Sequence, residues 1–176
     1  GTTGYIPISG KVGGAMSFNG VDHYVDAGQV LDPDKTRPFT FTAWINARGV
    51  GSSGWGTIIG TDVSYAEITI DPFLYAKLGQ NGGGGWWLGG GLISINDWYH
   101  IVGVYNESKA SIYVNGELKD GPTTQSFSNS HHNISIIGSY KVGGGELFNG
   151  TIDEVRIYNR ALSIDEINGL YEQGLD

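Results

Sequence analysis

Eight side chains between positions 55 and 87 have the types that proteins use to hold sugars: Trp55, Tyr65, Glu67, Asp71, Tyr75, Lys77, Trp86 and Trp87. A sugar offers apolar C–H faces that lie on flat aromatic rings, and hydroxyls that bond in pairs to polar side chains. Trp55 sits in Gly-Val-Gly-Ser-Ser-Gly-Trp-Gly-Thr, and Trp86-Trp87 stand between Gly82–Gly85 and Gly89–Gly91. Loops of that composition can present a ring to solvent. Ala66, Ile68 and Ile70 alternate with Tyr65, Glu67, Thr69 and Asp71, and Leu74, Ala76 and Leu78 alternate with Phe73, Tyr75 and Lys77. Alternation at period two places the polar sets on the faces of two strands opposite the apolar sets, the outer, concave face of one sheet. Adjacent strand residues point opposite ways, so one of Trp86 and Trp87 is expected to be buried and the other exposed.

The same residues do not make a hydrolase. Glycoside hydrolysis needs two carboxylates about 5 to 9.5 Å apart. Glu67 and Asp71 are four residues apart on one predicted strand, roughly 13 Å. There is no Gly-x-Ser-x-Gly, His-Glu-x-x-His or phosphate loop, and with no cysteine there is no thiolate. His131-His132 falls in a polar loop, where the expectation is solvation rather than metal binding. Asn106, Asn133 and Asn149 head glycosylation triplets that matter only in a eukaryotic source.

Composition narrows the partners. The 176 residues suit one domain spanning 1–176, and carry a formal net charge of −8. Nucleic acid and anionic membranes are disfavoured, because phosphate binding needs concentrated Lys and Arg. No segment has the roughly 18 apolar residues of a membrane span. The chain opens abruptly and without a signal peptide, which suggests a module joined covalently to neighbouring domains and acting as a monomer.

The elements that position these residues read as about a dozen short strands and one helix. Phe39, Phe41, Ala43 and Ile45 alternate with Thr40, Thr42 and Trp44, so Trp44 is expected to leave the outward side of its sheet, under a loop or against ligand. Trp98 precedes a buried strand over 98–105 and is expected in the core. Asn115-Gly116 suits a type I′ hairpin turn. In the closing stretch, Asp153, Val155 and Ile157 alternate with Glu154, Arg156 and Tyr158, which predicts that Asp153 points inward. Ser163 and Glu166 form a capping box, Leu162 and Ile167 a hydrophobic staple, and Gly174 ends the helix. Strands at this spacing with Gly-rich turns predict an all-β, two-sheet antiparallel sandwich with one short C-terminal helix.

Phe148-Asn149-Gly150-Thr151-Ile152-Asp153-Glu154-Val155-Arg156-Ile157-Tyr158 and the helix after it resemble the closing elements of laminin-G-like jelly-roll domains of the concanavalin A-like lectin/glucanase class. Residues 15–25, 39–45 and 98–105 fit in the expected order, so the resemblance covers nearly the whole chain. It implies a jelly roll, and a calcium ion where the first loop meets the closing strand, with Asn19, Asp22, Gly150 and Asp153 as the matching positions. His23 stands where that pattern usually has a second acidic residue. Sandwich glucanases of the class carry Glu-x-Asp-x-Glu on one strand, and this chain has no such run. The implied function is a non-catalytic carbohydrate-binding module of an extracellular multidomain protein. The alternative is a cell-surface adhesion or protein-interaction domain, which a broad exposed apolar patch would favour.

Overall fold

The computed structural model describes residues 2–3, 6–30, 38–61, 66–80, 86–125 and 134–176. Tyr65, His131 and His132 lie outside them, as does the side chain of Trp86. In chain order the strands are β1 (Thr2–Thr3), β2 (Ile6–Ser9), β3 (Gly14–Asn19), β4 (Tyr24–Gln29), β5 (Phe39–Gly49), β6 (Gly56–Thr61), β7 (Glu67–Ile70), β8 (Tyr75–Gln80), β9 (Trp86–Leu92), β10 (Trp98–Asn106), β11 (Lys109–Val114), β12 (Glu117–Thr124), β13 (Ile134–Ile137) and β14 (Asn149–Tyr158). The helix α1 covers Ile164–Gln173.

Two seven-stranded sheets face each other, ordered β1-β4-β13-β6-β7-β8-β9 and β12-β11-β10-β5-β14-β3-β2. Neighbouring strands within each are antiparallel, the jelly-roll sandwich expected. Phe41, Ala43 and Ile45 of β5, Ile101 and Tyr105 of β10, Ile68 and Ile70 of β7 and Leu78 of β8 bury their side chains between the sheets. Each fully buried Ile or Leu contributes about 1.5–3 kcal/mol relative to exposure. Tyr105 stacks on Phe39 at 4.3 Å, and its hydroxyl donates across the sandwich to the Gly79 carbonyl at 3.3 Å.

Local signals appear where they were read. Asn115 and Gly116 take φ values of 52° and 80°, as a type I′ turn requires between β11 and β12. Ser163 Oγ accepts from the Glu166 N–H, and the Glu166 carboxylate accepts from the Ser163 N–H at 2.9 Å. Leu162 and Ile167 are buried together with Val102 and Val104 on the outward side of the second sheet. Gly174 caps the helix at φ −89°, without a left-handed turn.

Three expectations are corrected. Trp98 is half-exposed, not core, because it pairs with Asn46, which shares the outward side of β5 with Trp44. Asp153 does not point into the sandwich. The β14–β5 register slips between Asp153 and Arg156, and Glu154 takes φ 48° at the bulge. Asp153 therefore stands opposite Trp44 and faces outward, while Val155 and Ile157 still reach the core. Trp44 does leave the outward side, but its cover is α1: it stacks on Tyr171 at 5.6 Å.

Candidate functional site

On the first sheet, Ile59, Ile68, Leu78 and Leu88 enter the core, which sends Gly60, Glu67, Lys77 and Trp87 to the outer face. Thr57 joins them, since a register shift in β6 puts it opposite Thr69. The polar set read from the alternation is thus on one face, but its members have different environments. A strap closes part of that face and leaves the rest open.

The strap is the connection from β13 to β14. Phe148 anchors one end, fully buried and edge-on to Phe18 at 6.4 Å between ring centroids. Its N–H donates to the Gly138 carbonyl at 3.0 Å, and the Thr57 N–H donates to the Glu146 carbonyl at 2.7 Å. Ser139 Oγ lies 3.0 and 2.9 Å from the Lys141 and Gly145 carbonyls and closes the turn between. Gly60 lets the strap sit this low: a Cβ there would lie 3.1 Å from Tyr140 Cα and 3.2 Å from the Ser139 carbonyl oxygen.

Glu67 is therefore not part of an exposed surface. It is fully buried, with Thr57 Oγ1 donating to its Oε2 at 3.2 Å, and Oε1 has no hydrogen-bond partner among the described residues. Burial first, and the neighbouring Glu146 carboxyl second, raise its pKa to about 8. At neutral pH it is a protonated acid. Burial raises Glu146 as well.

The open part of the face holds the rings. Trp55, held in its loop by bonds around Gly51 and Ser53, reaches Trp87 of β9, with centroids 5.5 Å apart and planes at 36°. Both rings are half-buried. A tilted pair at this distance adds about 0.5–1.5 kcal/mol beyond its buried area. It makes one continuous platform, not two jaws. Lys77 projects beside it, with Nζ 3.6 Å from Asp71 Oδ2 and 5.5 Å from the centre of the Tyr75 ring. Asp71 Oδ1 accepts from the N–H groups of Phe73 and Tyr75, which fixes the β7–β8 turn. Asp71 is largely buried by this work, whereas Tyr75 is exposed.

Of the four positions matched to a calcium site, Asn19, Asp22 and Gly150 lie at one end of β14 and Asp153 stands apart. Asn19 pairs with Asn149, which leaves Asp153 four residues away along β14, ~13 Å. Asn19 Oδ1 already accepts from the N–H groups of Val21, Asp22 and His23, and Nδ2 donates to Asp22 Oδ1. Asp22 is exposed, 3.7 Å from His23 Nε2. Asp153 satisfies its buried carboxylate with the N–H groups of Val12 and Glu154 at 2.9 and 2.7 Å. Asp153 therefore does not share one cation with Asn19 and Asp22, and no group of three or more His, Cys, Asp or Glu among the described residues could hold a metal.

The outward side of the second sheet carries a feature the sequence did not flag. His100, opposite Trp44, is buried beneath α1. Its Nε2 lies 2.7 Å from Thr42 Oγ1, and Nδ1 has no partner among the described residues. Burial, then the Arg156 charge, lower its pKa to about 4. A crevice of about 50 Å³ runs beside it between Val12, Trp44, Arg156 and Gly174.

The two sheets, the closing strand and its capped helix define a lectin-type sandwich. Residues 19–168 match the Laminin_G_3 family model of the concanavalin A-like lectin/glucanases superfamily, and the chain belongs to that family. No curated protein sequence matches it. Among solved structures it is similar to domain 4 of AbnA, an extracellular GH43 arabinanase from Geobacillus stearothermophilus, in complex with arabinotriose. That match has TM-score 0.76 and 20% identity, and covers 96% of this chain and 82% of that one. It is also similar to Trypanosoma rangeli sialidase in complex with sialic acid, with TM-score 0.69 and 20% identity over 89% of this chain and 27% of the sialidase. The botulinum neurotoxin serotype G binding domain aligns with TM-score 0.71 and 18% identity, over 97% of this chain and 45% of that one. At these identities the likeness establishes the fold. No helix among the described residues is long and apolar enough to cross a membrane.

Proposed function

We propose that this domain is a non-catalytic carbohydrate-binding module. The observation that carries this reading is the Trp55–Trp87 platform beside Tyr75 and the Lys77–Asp71 pair on the open part of the first sheet. Rings in contact with one another are preorganised, so little side-chain freedom is lost on binding. The protonated Glu67 lies sealed beneath the strap, out of a substrate's reach, which supports a binding role over hydrolysis. The fold neighbour bound to arabinotriose supports the same reading. By analogy with that extracellular enzyme, the domain belongs outside the cell, attached to a catalytic or adhesive partner domain.

Calcium has a minor place here. A cation at the Asn19–Asp22 turn would find one charged ligand, Asp22, with backbone carbonyls making up the rest. Glycan binding is expected to survive chelation.

The test is a binding screen of the folded domain against plant, microbial and animal glycans, with and without chelator. Binding to one glycan class, lost in Trp87→Ala and Trp55→Ala while the fold is retained, is the expected result. A blank screen, or binding indifferent to both substitutions, overturns the proposal.

A further inference from the structure

The platform extends past the tryptophans. Leu92, 65% exposed, stands opposite Tyr75 across β8 and β9, and Phe73, 76% exposed, lies in the turn that leads into β8. Trp87 pairs with Gly79 and Leu92 with Tyr75. The two ends of this row are therefore four β8 residues apart, ~13 Å. Among the described residues, the floor between them is open. Gly89 pairs with Lys77 on the outer face, and a Cβ built on it would meet nothing within 4 Å. The face thus carries Trp87 at one end and Tyr75 with Leu92 at the other, with Gly89 and Lys77 between them and Trp55 reaching across from the β6 side to meet Trp87.

We infer that this groove holds a run of consecutive sugar units of an uncharged polysaccharide, laid along β8, an assignment that rests on the carbohydrate-binding reading. Sugar faces lie over Trp87, with Trp55 against it, and over Tyr75 and Leu92 farther along β8. Hydroxyls between them meet Lys77, which Asp71 holds in place. Three features set the class. The row is longer than one sugar ring, so a single ring leaves one apolar end uncovered. The Lys77 charge is already matched by Asp71 at 3.6 Å, on a chain of net charge −8, which disfavours a polyanion. The N–H of Gly89 donates to Asp120 Oδ2 of β12 at 3.0 Å, which draws β9 toward the other sheet. That bond occupies one donor on the outer edge of β9, the last strand of its sheet.

Titration calorimetry of the intact domain against arabino-, xylo- and cello-oligosaccharides of increasing length, with polygalacturonate as the charged chain, tests this. Affinity for one neutral series is expected to rise at least about tenfold from monosaccharide to trisaccharide and then level off. Gly89→Leu starts from a Cβ that meets nothing within 4 Å and projects into the open floor. It is expected to abolish binding of the longer oligomers with the melting temperature unchanged. Leu92→Ser and Phe73→Ser should weaken the longer oligomers and leave the shortest binder unaffected. Equal affinity for one sugar and three, normal binding by Gly89→Leu, or a preference for polygalacturonate overturns the inference while leaving carbohydrate binding intact. No binding to any glycan overturns the carbohydrate reading itself.

Discussion

Beneath α1, on the outward side of the second sheet, His100 is kept neutral; beneath the strap, on the outward side of the first, Glu67 is kept protonated. Both faces bury a titratable group in its uncharged form, yet only one leaves a surface for a ligand. The helix covers its face with Ile167 and Tyr171 from a capped, cooperative element, and Leu162 packs there just before the cap. The strap has no regular structure and is held by a few backbone bonds and Phe148. It spans only the β6 side of the face, so the rings of β8 and β9 stay open. A face covered by a helix serves stability. A face covered by a strap can serve both stability and binding.

The sharpest test of that contrast pairs two tryptophans. Trp44→Ala should cost about 3–5 kcal/mol in denaturant unfolding, because it removes a buried ring from under α1, while glycan affinity per folded molecule stays unchanged. Trp87→Ala should show the reverse: lost binding, with only the ~0.5–1.5 kcal/mol of the ring pair and its partial burial missing from stability. Equal effects of both on binding would erase the distinction.

The two buried titratable groups predict opposite pH limbs. The folded pKa of Glu67 is raised to about 8 from 4.5, so the folded state binds the proton more tightly. Its contribution is complete below pH 4.5 and is lost as pH rises through 8. Glu67→Gln mimics the protonated acid, and at pH 9 it should be more stable than the parent chain by about 5 kcal/mol, measured by urea midpoints. His100 runs the other way. Its folded pKa is depressed to about 4 from 6.5, so its contribution is present above 6.5 and is lost as pH falls through 4. His100→Gln should flatten the acid limb by ~3 kcal/mol. A parent stability curve that is level from pH 4 to 9 would contradict both burials.

Smaller still is Ser163→Ala, which removes the cap of α1 and should cost ~1 kcal/mol. It should also loosen the cover of Trp44, seen as a shift in tryptophan fluorescence at temperatures where the rest of the fold persists.

Local rules made part of this legible. The capping box, the Asn-Gly hairpin and the alternation that sends Lys77 and Tyr75 outward each depend on residues close in sequence. What they missed depends on contacts far apart in the chain. Nothing near Glu67 announces that a strap some 70 residues later will lie on it. The Glu154 bulge reverses Asp153 because β14 must keep register with β5 on both sides of it, and period-two counting assumes no insertion. Trp98 looked like core because the strand after it is core, although its own register places it beside Asn46. The alternation already set Phe73 with Tyr75 and Lys77, whereas Leu92 gave no signal, since an isolated apolar residue after glycines reads as a turn.

The bond from the Gly89 N–H to Asp120 has a consequence for life at high concentration. An unpaired β9 would be a template on which another copy could add a strand, the first step toward fibrils. One carboxylate from the opposite sheet occupies a donor that such growth would use. Asp120→Ala is expected to leave the monomer folded and able to bind, yet to make it self-associate as it is concentrated, visible as rising light scattering.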